Sequence, residues 1–267
     1  MPVQDLFLPI LQIAMIAVRV TTLWMFFPVF GNASIPSSVR LAGAVALSVA
    51  LKPLVGAHLP PWTVEKLPEL GEATAFLFRE FAFGAGLGLV SRWIFSACVA
   101  SAYWVSMQMG LAAGGMFNPE TQTQENGWAE FHQWLAIMMF FSVGGHLLYI
   151  QALADSYTLD LSHLFTRLLD PQMGSMFWIE VGTRFFTWML KLSGPLMVLL
   201  LLLQMALGVL SKFVPQINVW SVSIPITIGV GVLVFSLLSP LYGDALTGLM
   251  EANFQTNVLW LKFAGGR

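Results

Sequence analysis

The sequence predicts an all-α integral membrane protein made of several long, kinked helices and helical hairpins. Of its 267 residues, 57% are hydrophobic and only 10% are charged, whereas a soluble domain has about 25% charged residues. The mean hydropathy is +0.75, and several apolar runs are long enough, as helices, to cross a hydrocarbon layer of about 30 Å. The net charge of −2 provides no basic surface for nucleic acid. We therefore expect contact with membrane lipid and not with nucleic acid.

We interpret the chain as a single membrane domain, 1–267, in which apolar runs alternate with polar connections. The runs lie near residues 6–30, 41–51, 73–117, 131–154, 176–210 and 219–242, and a short, weakly amphipathic tail follows at 244–267. The second run is marginal for a span, so a buried or re-entrant helix is an equal alternative. Many secondary transporters are built from a repeat that relates the two halves of the chain. We find no such repeat in this sequence.

The third run is too long for one span, and Arg92 interrupts it, so it predicts two helices near 73–91 and 93–113. Gly84 and Gly88 lie four residues apart, a spacing of small residues that allows another helix to approach closely. This run should therefore pack against a neighbouring helix along its glycine face.

The end of the third run combines glycine with bulky, flexible apolar side chains. Because glycine permits positive φ and disfavours a continuing helix, Gly110, Gly114 and Gly115 predict a bend or an ordered loop. The apolar side chains near these glycines suit an irregular gap, and they are Met107, Met109, Met116 and Phe117. Gln108 lies between the first two of them and belongs to the same candidate gate. Two interpretations stay open here: a gate element that closes a path through a membrane assembly, and an ordinary interhelical loop.

Charged residues inside the apolar runs need partners, because a charge at the bilayer centre costs at least about 3 kcal/mol. Glu180 and Arg184 are spaced so that they can pair on one helix face. The charges are either relay groups for protons or substrate, or structural groups in a chain that neighbouring subunits cover. They are Arg19, Arg79, Glu80, Arg92, Glu180, Arg184 and Lys191.

Nothing in the sequence predicts an enzyme, a cofactor or a metal site. The four histidines are scattered, and the single cysteine, Cys98, excludes a multi-cysteine metal site. No nucleophile with an adjacent base, and no phosphate-binding loop, is recognisable.

One motif makes the chain resemble the FliR family of flagellar export-gate proteins, which shares ancestry with the SctT subunits of virulence type III secretion systems. The motif is a basic residue, a Pro-Gln-x-Asn turn and a proline that opens the next apolar run. Its residues are Lys212, Pro215, Gln216, Asn218 and Pro225. Arg19, Glu80 with Gly84 and Gly88, and the stretch from Met107 to Phe117 also match, in the family's order.

The resemblance implies a subunit that assembles with FliP and FliQ into a closed export gate in the flagellar basal body of the bacterial inner membrane. FlhB would lie at the cytoplasmic entrance, and unfolded flagellar proteins would pass through. Residues 110–117 would be the channel plug, and deleting them should leave assembly intact but make the membrane leaky to small ions. The resemblance also implies that Arg19, Glu80, Glu180, Arg184 and the Lys212 to Pro225 motif serve subunit packing.

A secondary transporter of a small solute remains the alternative. It would use the charges of the first, third and fifth runs as its binding and relay groups.

Overall fold

The computed structural model describes residues 3–31, 35–60, 69–111, 126–213 and 219–266, with the side chains of 3–7 and 219–220 left aside. All regular structure in these ranges is helical. Two short 3₁₀ turns, Gly56–His58 and Ser156–Thr158, follow α2 and α5. The α-helices are α1 Val3–Phe26, α2 Ser37–Val55, α3 Leu70–Met109, α4 Gly127–Ser142, α5 Gly145–Asp155, α6 Leu164–Leu169, α7 Pro171–Phe213 and α8 Val219–Gly265.

Length and hydropathy confirm an all-α membrane protein. Five helices of the described residues are long and apolar enough to cross a membrane: α1, α2, α3, α7 and α8. The pair α4 and α5, bent by 67°, brings the number to six if the pair forms one span. The second run is longer than the sequence indicated, because its helix with the following turn covers Ser37–His58.

The prediction of two helices in the third run is wrong. α3 is one helix of 40 residues from Leu70 to Met109. Arg92 does not interrupt it, because its side chain is exposed on the helix surface. A long charged side chain can extend away from the helix surface while the helical backbone continues beneath it.

Two further differences concern the fourth and sixth runs. The fourth run breaks at Gly144, whose φ of +70° ends α4 and begins α5 in a new direction. The tail at 244–267 continues α8 as helix as far as Gly265, and α8 also contains Pro225 and Pro240.

The chain forms two compact units, and α3, α7 and α8 each contribute to both. Unit 1 comprises Met1–Trp93, Gly144–Gly182 and Asn253–Arg267. Unit 2 comprises Ile94–Val143 and Thr183–Ala252.

Within unit 1, the backbones of α1 and α3 approach closely at the predicted glycine face. A Cβ at Gly84 would lie 2.6 Å from the Arg19 carbonyl oxygen, and one at Gly88 would lie 2.8 Å from the Leu23 carbonyl oxygen. The predicted close approach is therefore confirmed. It places Arg19 of α1 next to the middle of α3.

Candidate gate element and buried ion pair

The last turn of α3 ends in a Schellman motif centred on Gly110. Gly110 has φ of +84°, its N–H donates to the Met107 carbonyl at 3.1 Å, and the Leu111 N–H donates to the Ser106 carbonyl at 3.0 Å. This pair of bonds satisfies carbonyl groups that the helix end leaves free. The predicted bend at Gly110 is confirmed, and it gives the chain a defined direction where it leaves the helix.

Met109, the last residue of α3, is anchored by both its backbone and its side chain. The Thr227 hydroxyl of α8 donates to the Met109 carbonyl at 2.8 Å. The Met109 side chain is fully buried and lies against Gly231, where an added Cβ would come within 2.6 Å of Met109 Cε. Val105, Met109, Leu196 and Leu200 form one apolar cluster. The end of α3 is thus fixed to α7 and α8 within unit 2.

Gln108 forms a second, more exposed attachment. Its Nε2 donates to Gln204 Oε1 at 3.1 Å, and Gln204 Nε2 donates back to the Gln108 carbonyl at 2.8 Å. Met107, one residue earlier, has no such role, since its side chain is 55% exposed. Two of the predicted gate residues, Gln108 and Met109, therefore hold the helix end in place.

Asn126 is the first described residue after Leu111, and it is bonded to Ser106 near the end of α3. The Asn126 amide donates to the Ser106 hydroxyl, and its Oδ1 accepts from the Ala129 N–H at 3.2 Å and caps α4. The start of α4 is therefore bonded to the end of α3. Gly114, Gly115, Met116 and Phe117 lie outside the described residues.

In unit 1, Arg19 and Glu80 form a buried, bidentate ion pair. Arg19 Nε lies 2.6 Å from Glu80 Oε2 and its Nη2 lies 2.8 Å from Oε1, while the two residues are only 2% and 3% exposed. The remaining guanidinium nitrogen, Nη1, donates to the Ser156 hydroxyl at 2.6 Å. The guanidinium carbon lies 3.8 Å from the Tyr157 ring centroid and 4.6 Å from that of Phe83. Every charged atom of the pair has a partner, as a buried pair requires.

Comparison with known proteins identifies the family. The family model described as bacterial export proteins, family 1, matches residues 10–253. The chain belongs to this family. The resemblance to FliR proteins is thereby confirmed.

Two relatives of this export protein are named flagellar biosynthetic protein FliR. The chain is 29% identical to the one from Aquifex aeolicus, over 89% of this chain and 87% of the relative. It is 32% identical to the one from Pectobacterium carotovorum, over 84% and 82%. It is also 25% identical to surface presentation of antigens protein SpaR of Salmonella typhimurium, over 90% and 87%. These names refer to biosynthesis or to surface presentation and not to an enzymatic reaction.

Within the described ranges, the other charges of this export protein are not gathered into one site. As their adjacency required, Arg79 and Glu80 diverge, and the Arg79 guanidinium carbon lies 5.4 Å from the Phe76 ring centroid. Glu180 and Arg184 lie one helical turn apart on α7, and Lys191 has its ammonium 4.5 Å from the Trp188 ring centroid. The described residues contain no cluster able to hold a metal ion.

The structure describes only part of the Lys212 to Pro225 motif. Lys212 lies in the last turn of α7, and Pro225 lies inside α8 two residues before Thr227. Pro215, Gln216 and Asn218 lie outside the described residues.

Two groups of functional residues were missed by the sequence reasoning. One is the pair of anchors, Gln204 and Thr227, which are polar residues in apolar runs. The other is a buried polar network in unit 1, where the Tyr149 hydroxyl lies 2.6 Å from Asn253 Oδ1 and Asn257 donates to the same oxygen at 2.8 Å. Tyr149 also contacts the Ser91 hydroxyl. The i,i+4 spacing of Asn253 and Asn257 was the available signal, because it places two amides on one helix face.

Proposed function

We propose that the chain is a core subunit of the flagellar type III protein-export gate, which forms with FliP and FliQ the closed channel for unfolded flagellar proteins. FlhB would contact the cytoplasmic entrance, and the site of action would be the bacterial inner membrane at the flagellar basal body. Membership of the bacterial export proteins and two relatives named FliR support the flagellar assignment. The role needs neither enzymatic chemistry nor a cofactor.

The observation that carries the proposal is the anchored end of α3. A channel plug needs a fixed base and a segment that can yield and reclose. Gly110, Met109 and Gln108 provide the base through the Schellman turn, the Thr227 hydrogen bond and the Gln204 pair. The residues that follow, from Gly110 to Phe117, supply apolar side chains that can seal by excluding water.

The ion pair supports a structural role for the buried charges. Both Glu80 oxygens accept from Arg19, and the third guanidinium nitrogen is bonded to Ser156. Binding a solute or a proton at Glu80 would have to compete with these buried bonds to Arg19, so the pair argues against the transporter alternative.

The surfaces of α7 and α8 support assembly with other membrane subunits. Only 11% of the most apolar window of each helix is buried within the chain. Exposed apolar residues of α7 include Leu201, Leu202, Met205 and Val209, at 51–62%. We propose that FliP, FliQ and lipid cover these faces, and that Glu180, Arg184 and Lys212 serve packing in the assembly.

Coexpression tests this proposal. The chain should be extracted with FliP and FliQ as one large, uniform particle in mild detergent, and it should be degraded or heterogeneous when expressed alone. A stable, uniform particle of this chain alone that binds a small solute would contradict the export-gate assignment. The Arg184→Gln and Lys212→Gln variants are matched single-charge changes that locate the packing contacts.

A further inference from the structure

Unit 2 contains a small cavity that is partly open to the surface and has a partly polar wall. Its volume is about 50 Å³. Apolar side chains such as Val105, Leu196 and Phe235 form most of the wall. Polar groups are placed among them, contributed by Ser101, Trp128, His132, Lys191 and Tyr242.

Two polar groups of this wall lack the partners that a helix or a side chain normally supplies. The Trp128 indole N–H is buried and has no acceptor among the described residues. Pro195 has no N–H, so the Lys191 carbonyl four residues earlier loses its usual helical donor. Leaving such groups unpaired in an apolar layer costs about 1–3 kcal/mol each.

The orientation of His132 adds a third group. His132 is 2% exposed, and its Nδ1 lies 2.7 Å from the Trp128 carbonyl oxygen. Because a carbonyl only accepts, Nδ1 carries the proton, and Nε2 of the neutral ring is left as an acceptor. The Tyr242 hydroxyl has two partners, Cys98 Sγ at 3.6 Å and the Ser101 side chain.

We propose that this cavity is a hydration site that binds a small cluster of water molecules. One buried water needs roughly 10–15 Å³ and two to four polar partners, so the volume of about 50 Å³ has room for about three. A water molecule both donates and accepts, and it can therefore pair the indole N–H with the acceptors of His132 and Lys191. An apolar ligand would leave the Trp128 indole N–H unpaired.

The hydration site adjoins the anchored end of α3. Val105 and Leu196 belong both to the cavity wall and to the cluster that buries Met109. Water at this place would give the helices of unit 2 exchangeable hydrogen bonds beside the base of the proposed plug. The hydration itself is independent of the proposed function, since it is measured without export.

The test is hydroxyl-radical labelling by X-ray pulses in ¹⁸O-labelled water, applied to the chain in its copurified assembly. Radicals form from bound water, so a buried side chain beside water is labelled and a dry one is not. Phe140 is the internal control, because it lies in the same helix as His132, is 1% exposed and does not line the cavity. After correction for intrinsic reactivity, we expect severalfold faster labelling at His132.

Filling the cavity should abolish the difference. Ala245 lines the cavity and is half-buried, so Ala245→Leu adds volume there. Ala100→Leu makes the same change at a half-buried position of α3 outside the wall and should leave His132 labelling unchanged. Ala102→Val is a second filling variant in case Ala245→Leu fails to assemble. Equal labelling of His132 and Phe140 in the unaltered chain, or an excess that survives filling, would overturn the proposal.

Discussion

The contacts inside unit 1 differ in kind from those inside unit 2. Unit 1 has a saturated ion pair, Arg19–Glu80, and a network of buried hydroxyl and amide groups around Tyr149. In unit 2, the end of α3 is held by the apolar cluster around Met109 and by a few single hydrogen bonds. Directional polar contacts resist small displacements, whereas methionine and leucine contacts tolerate them. From this comparison we expect unit 1 to resist displacement more than the end of α3 in unit 2, where the proposed gate element begins.

The largest effect should follow from breaking the ion pair of unit 1. Arg19→Met leaves Glu80 as an uncompensated buried charge, and we expect a loss of about 3–5 kcal/mol in the free energy of unfolding. The measurement is the yield and thermal midpoint of the copurified assembly. The double variant Arg19→Met with Glu80→Leu should recover much of the loss. Equal damage in the single and double variants would show that the charge itself does not matter.

A smaller loss should follow from separating α1 and α3. In Gly84→Ala, the new Cβ meets the Arg19 carbonyl at 2.6 Å and Thr22 Oγ1 at 2.9 Å, so overpacking should cost about 1–3 kcal/mol. Gly71→Ala on the same helix has nothing within 4 Å of the new Cβ and should change stability by less than about 0.5 kcal/mol. The measurement is the thermal midpoint of each variant. A lower midpoint for Gly84→Ala would show that the packing of α1 against α3 is rigid. Equal midpoints would show that this packing adapts to the added methyl group.

Loosening the anchor in unit 2 should act locally. Thr227→Val removes the hydroxyl that donates to the Met109 carbonyl, at a cost of about 1 kcal/mol. We expect faster hydrogen exchange at the Gly110 and Leu111 amides, with little change in unit 1. Thr187→Val is the control, because the Thr187 hydroxyl donates to Thr183 within its own helix. Unchanged exchange at Gly110 would mean that Thr227 is not an anchor.

The glutamine pair should have the smallest effect. Gln204→Leu removes both bonds to Gln108, whereas Gln108→Leu keeps the one to its backbone carbonyl. Side-chain hydrogen bonds between membrane helices average about 0.6 kcal/mol, so Gln204→Leu should cost about that much and Gln108→Leu less. A double-mutant cycle on thermal stability measures the stability lost in each variant. A larger loss in Gln108→Leu than in Gln204→Leu would rule out the described hydrogen bonds.

Local backbone chemistry explains which features could be predicted from the sequence. The bend at Gly110 and the close approach at Gly84 depend on glycine itself, so both were predictable. The continuity of α3 through Arg92 was not, because it depends on that side chain being exposed. In the part of α8 that extends to Gly265, Asn253 and Asn257 bond to Tyr149, which is more than 100 positions away. The Arg19–Glu80 pair likewise joins residues 61 positions apart, and only the fold identifies such partners.

The segment that follows the anchor provides the most direct test of the gate element. Cells would carry the assembly with residues 110–117 deleted, and the influx of small ions across the inner membrane would be measured. Replacing residues 118–125 by glycine and serine at equal length is the control. We predict an assembled but leaky complex for the deletion and a tight membrane for the control. Normal permeability together with normal export in the deletion variant would contradict the account.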